Sequence, residues 1–111
     1  MKKYFYIYLL SVLFPVALSA QSDELPIKEW NANGNNPFVL YISGDGGFNR
    51  FSTDLCTALN KGGYGVTAIN AKSYFWDKKT PEETAAAIQS YLLRVFKNRQ
   101  NQRLVLVGYS F

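Results

Sequence analysis

Apolar residues fall into two kinds of run along the chain. Residues 38–42 (Phe-Val-Leu-Tyr-Ile), 65–69 (Gly-Val-Thr-Ala-Ile) and 104–107 (Leu-Val-Leu-Val) are nearly unbroken, of strand length, and rich in β-branched and aromatic side chains. A strand without polar alternation is buried on both faces, as in a parallel sheet. Between the first two runs, Phe51, Leu55, Ala58 and Leu59 share one helical face. That helix is expected to stop at Lys61-Gly62-Gly63, with a basic last turn and a glycine cap. Thr80-Pro81-Glu82-Glu83 opens a second helix: Thr80 caps, Pro81 suits the first helical position, and Glu83 completes a capping box. Ala85, Ile88, Tyr91, Leu92, Val95 and Phe96 keep its apolar face to about Lys97, with acids opening and Lys97 and Arg99 closing the helix as its dipole favours. Residues 70–79 read as a loop.

The order strand, helix, strand, helix, strand predicts an α/β fold, with a three-stranded parallel sheet and helices on both faces. Right-handed crossovers on either side of a central first strand send the two helices to opposite faces and create a switch point. There the loop after the first strand and the turn after the third lie side by side at the carboxyl edge, where open α/β sheets bind ligands.

The first twenty residues have a different design: a basic start at Lys2 and Lys3, an apolar stretch from Tyr4 to about Val16, and small residues at Ala17, Ser19 and Ala20. This is the layout of a cleavable secretory signal, and the stretch is shorter than the ~20 residues of a membrane span. Residues 1–20 are therefore expected to be removed and the product to be periplasmic. Residues 21–36 form a polar lead-in with turn formers at Asn33-Gly34-Asn35-Asn36, and residues 25–30 suit a short edge strand of unspecified register. Residues 37–111 make up the domain.

Of 111 residues, 12 are Lys or Arg and 8 Asp or Glu, for a net charge of +4. Removing Lys2 and Lys3 halves that charge and leaves the rest dispersed, which excludes a nucleic-acid footprint. Cys56 is the single cysteine, so no intramolecular disulfide forms. No metal or cofactor motif is present.

The chemistry concentrates at two strand ends. Gly108-Tyr109-Ser110-Phe111 supplies four positions of G-x-S-x-G, the turn that exposes a nucleophilic serine above a sheet. Ser110 is the candidate nucleophile, and the amide of Phe111 one oxyanion donor. A second donor is expected from Asp45, Gly46 or Gly47 in Ser43-Gly44-Asp45-Gly46-Gly47, since glycines let amides face an oxyanion unobstructed. A phosphate-binding loop is the competing reading, but Asn49 stands where the dinucleotide fingerprint needs its third glycine, and no Walker lysine follows. Plain turn chemistry, with the Asp45 carboxylate bonded to local amides, is the simplest alternative. Tyr74, Phe75 and Trp76 either wall a substrate cleft or cover the helix ends as core. Lys78 and Lys79 either attract an anionic head group or are merely solvated.

Ser43-Gly44-Asp45-Gly46-Gly47-Phe48, then Tyr74-Phe75-Trp76 shortly before Thr80-Pro81-Glu82, then Gly108-Tyr109-Ser110-Phe111, together resemble the bacterial virulence protein VirJ/AcvB domain. The resemblance spans residues 38–111. It implies a partial α/β-hydrolase fold that stops directly after the nucleophile elbow, with Ser110 as nucleophile. It also implies a periplasmic setting, hydrolysis of aminoacyl esters of phosphatidylglycerol, and links to virulence and type IV secretion. Phe48 departs from the tryptophan usual in the family.

A serine hydrolase needs a histidine and an acid, which in this fold follow the serine in sequence. The chain contains no histidine. It is therefore expected to be an inactive N-terminal piece of a periplasmic serine ester hydrolase acting on a lipid or small ester. The alternative is a non-enzymatic periplasmic protein that uses the same sheet edge to grip a lipid or a secretion-system or envelope partner; fold alone does not choose between them.

Overall fold

The computed structural model describes residues 25–99 and 101–109. The expected signal segment, Ser110 and Phe111 lie outside the described residues. The elements are β1 (Ile27–Trp30), β2 (Phe38–Ile42), α1 (Arg50–Lys61), β3 (Val66–Ile69), α2 (Ala71–Tyr74), α3 (Pro81–Phe96) and β4 (Leu104–Gly108).

Each apolar run forms a strand of a single sheet ordered β1-β3-β2-β4. The first of the three long runs, β2, is central and parallel to both neighbours: Val39 pairs with Val66 and Val105, and Tyr41 with Ala68 and Val107. The sheet is mixed and has four strands, not three parallel ones, because β1 joins β3 antiparallel with Ile27 opposite Ile69 and Trp30 opposite Val66. An edge strand needs only one neighbour and one apolar face, so the short Ile-Lys-Glu-Trp segment serves despite its two charges. It lies within the polar lead-in.

The register sorts side chains by face. Val39, Tyr41, Val66 and Ala68 form a buried cluster with Cys56 of α1, and Trp30, Leu55 and Leu59 pack against it. On the opposite face, Phe38 meets Phe96 of α3 edge-on at 5.7 Å, and Thr67 bonds Tyr91 of α3. The two helices therefore cover opposite faces, as right-handed crossovers from a central strand require. Asn49 caps α1 by accepting the Ser52 amide proton at 3.0 Å, and Thr80 caps α3 by accepting that of Glu83 at 3.1 Å. After α1 the left-handed turn is made at Gly63, with φ of 99°, while Gly62 stays at negative φ.

Polar groups that enter the core are paired there. The Tyr41 hydroxyl and Ser52 Oγ are 2.8 Å apart and buried, tying the central strand to α1. The Cys56 thiol is fully enclosed, and burial pushes its pKa up to about 11 against a smaller opposing pull from Lys28, so it packs as a neutral hydrophobe.

On the other face, the Tyr91 hydroxyl donates to Glu29 Oε2 and, its proton so committed, accepts from Thr67 Oγ1 at 2.6 Å. Burial, then the bond to Glu29, raises the Tyr91 pKa from its ordinary value near 10 to about 12. A tyrosine ionisation raised by folding stabilises the protein in its neutral form. That contribution is complete below about pH 10 and lost as pH climbs through about 12. The thermal midpoint, followed by circular dichroism, is expected to fall over this interval, and to fall less in Tyr91→Phe. Equal alkaline slopes in the two proteins would contradict this role for Tyr91.

Candidate active site

Because β2, β3 and β4 are parallel, their carboxyl ends share one edge of the sheet, and each delivers a segment singled out in the sequence. After β2 comes the glycine loop. Ser43 is buried, donates its amide proton to the Ile69 carbonyl at 3.0 Å, and accepts the Ala71 amide proton on Oγ at 2.9 Å. This serine pins the start of α2 to the start of the loop. The loop closes on itself where the Gly47 amide donates to the Gly44 carbonyl at 3.0 Å.

Gly47 itself is buried at φ of 76°, and a Cβ there would lie 3.2 Å from Cδ of Lys72. Both the left-handed backbone and the approach of the Lys72 stem select glycine. Since the Gly47 N–H is spent in the turn, the expected donors that remain are the amides of Asp45 and Gly46, which, like that of Gly44, have no backbone acceptor among the described residues. Asp45 and Gly46 are exposed.

After β4 comes the segment that leads to Ser110. Gly108 is in register with Ile42, and the Tyr109 amide donates to the Ile42 carbonyl at 3.1 Å. The Tyr109 ring packs on Phe51 with centroids 4.8 Å apart, beside the first turn of α1. Ser110 and Phe111, the expected nucleophile and oxyanion donor, lie outside the described residues. A Cβ on Gly108 would meet no atom within 4 Å, so the described residues do not make the close approach for which the elbow motif reserves a glycine.

After β3 comes a four-residue helix, α2, where the sequence suggested only loop. Asn70 caps it, accepting the Ser73 amide proton at 3.1 Å and donating its own amide proton to the Pro26 carbonyl at 2.9 Å. Of the aromatic triplet, only Tyr74 takes the core role. Tyr74 is buried and stacks edge-on with Phe75 at 4.9 Å, whereas Phe75 and Trp76 are 56% and 81% exposed.

The antiparallel β1 brings further residues to this edge. A cavity of about 240 Å³ is lined by Pro26, Ile27, Lys28, Phe48, Ala68 and Asn70. Lys28 Nζ lies 5.3 Å from the Trp30 ring centre and 5.7 Å from that of Phe48. Sequence reasoning missed Lys28 because its position follows from the pairing of β1, which the hydrophobic pattern does not specify. A larger apolar cleft of about 610 Å³ runs between α3 and the amino end of β4, lined by residues such as Ile88, Leu92 and Leu104. It lies at the opposite end of β4 from Gly108.

The arrangement of glycine loop, aromatic loop and serine turn follows the order of three motifs along the chain, and the sequence profile of the bacterial virulence protein (VirJ) family matches residues 36–111. The chain belongs to the VirJ family. The match covers β2 to β4 and leaves β1 outside it. A search of curated proteins finds no match to the chain. In VirJ terms, then, the glycine loop, the aromatic loop and the turn carrying Ser110 all belong to the family's domain.

Proposed function

We propose that this chain carries the nucleophile-bearing part of a serine ester hydrolase of the bacterial cell envelope, built on an α/β-hydrolase fold. The observation that supports it most is the bond from the Tyr109 amide to the Ile42 carbonyl. It sets the residue before Ser110 beside the residue that leads into the glycine loop, the neighbourhood an acyl-transfer site requires.

On this reading Ser110 Oγ attacks an ester carbonyl while a histidine takes its proton. The amides of Phe111 and of Asp45 or Gly46 hold the oxyanion. Collapse of the tetrahedral intermediate expels the alcohol, reprotonated by the histidine, and leaves an acyl-serine that water hydrolyses. The 111 residues contain no histidine, so the base comes from residues outside them. The family resemblance points to aminoacyl esters of phosphatidylglycerol as substrates and to the periplasm as the compartment.

Ester turnover by a longer gene product containing this chain tests the reading: Ser110→Ala is expected to lower kcat by more than about a thousandfold. Undiminished turnover would exclude Ser110, and a longer protein with no esterase activity would favour the non-enzymatic interaction role. Export is checked separately by mass spectrometry of the mature protein, expected to begin near Ala20 or Gln21. A cytoplasmic product that retains Met1 would contradict it.

A further inference from the structure

The segment from Lys72 to Lys79 combines two features that the serine chemistry does not use. Trp76 is 81% exposed and Phe75 56%, although indole and phenyl rings are the costliest side chains to leave in water. Around them stand Lys72, Lys78 and Lys79, with Asp77 as the single acid of the segment. None of the three lysines enters an ion pair among the described residues. Lys79 instead rests its ammonium 5.1 Å from the ring centre of the buried Tyr74, which fixes the cation at the base of the exposed pair.

We infer that this loop is a docking surface for an anionic lipid bilayer, with Trp76 and Phe75 entering the headgroup boundary and the lysines meeting lipid phosphates. Tryptophan favours that boundary because its ring prefers the acyl side while its N–H keeps a polar partner. Lysines near an anionic leaflet add electrostatic attraction within a Debye length. The rings are exposed, line none of the cavities described above, and are flanked by cations. An anionic surface complements that arrangement in both apolarity and charge.

The loop is held to the carboxyl edge by the Ser43 to Ala71 hydrogen bond and by the Lys72 stem over Gly47. Docking therefore brings the glycine loop to the lipid headgroups. The inference does not depend on Ser110 being a nucleophile, and its test involves no reaction.

In the full chain with Trp30→Phe, Trp76 is the sole tryptophan and reports on the loop, whatever residues 1–20 do at the bilayer. Vesicles of phosphatidylglycerol mixed with phosphatidylcholine are expected to shift its emission to the blue, and brominated acyl chains to quench it. Vesicles of phosphatidylcholine alone should do neither. Lys78→Gln with Lys79→Gln is expected to weaken the response about twenty-five-fold, two cations each contributing about fivefold near such a surface. In the same Trp30→Phe background, Phe75→Ser should weaken the Trp76 response to these vesicles by about tenfold. Unshifted Trp76 emission on anionic vesicles, an equal shift on neutral ones, or an undiminished response in the Phe75→Ser variant would each overturn the proposal.

Discussion

Leu40→Ala is expected to destabilise the fold by about 2–5 kcal/mol, the range for deleting a fully buried leucine side chain. Leu40 is fully buried at the middle of the central strand, in register with Thr67 on one side and Leu106 on the other. The pairing of β2 with both β3 and β4 leaves the backbone little freedom to collapse into the cavity. A small domain has only about 5–15 kcal/mol of net stability, so this one substitution removes a large share. The same change at Leu106 provides the contrast. Leu106 sits on the same face of the sheet but is 64% exposed, so Leu106→Ala should cost under about 1 kcal/mol. Urea midpoints for the two variants measure the difference. Equal losses would contradict the placement of β2 at the centre of the sheet.

The hydrophobic pattern was most legible where burial acts on both faces. The runs of β2 and β3 are interior, buried strands, and β2 lies between β3 and β4 as expected, but the equally apolar β4 forms the edge of the sheet with Leu104, Val105 and Leu106 exposed, so burial on both faces does not hold for it among the described residues. The start of α3 was equally legible, since Thr80 and Pro81 make local, sequence-encoded geometry. β1 shows where the pattern stops. Its alternating, charged residues suit an edge, but nothing local selects β3 as its partner or antiparallel as its sense, and Lys28 reaches the carboxyl edge only through that pairing.

Helix α2 was missed because a four-residue helix has too few positions to show a period, and its cap, Asn70, reads equally well as a turn residue. At the candidate site, the motifs identified the loops but not their internal bonding. That the Gly47 amide is spent in its own turn, and that Tyr74 turns inward while Trp76 turns outward, are outcomes of packing. A run of three aromatics carries no mark of which ring is which.

The second large effect is expected at Ser110. A serine hydroxyl is a weak nucleophile at neutral pH, and becomes reactive when a histidine removes its proton as the bond forms. The 111-residue chain offers no histidine, so it is expected to stay unlabelled by a fluorophosphonate, which reports activated serines. In a longer gene product that supplies the base, the amides of Phe111 and the glycine loop would hold the phosphoryl oxygen of the reagent as they would a tetrahedral intermediate. Removing the hydroxyl is then expected to abolish the adduct outright. The most direct test of the account is mass spectrometry of that longer protein after fluorophosphonate treatment. It predicts a single adduct on the peptide containing Ser110, lost in Ser110→Ala; a folded longer protein with an adduct elsewhere, or with none, would contradict it.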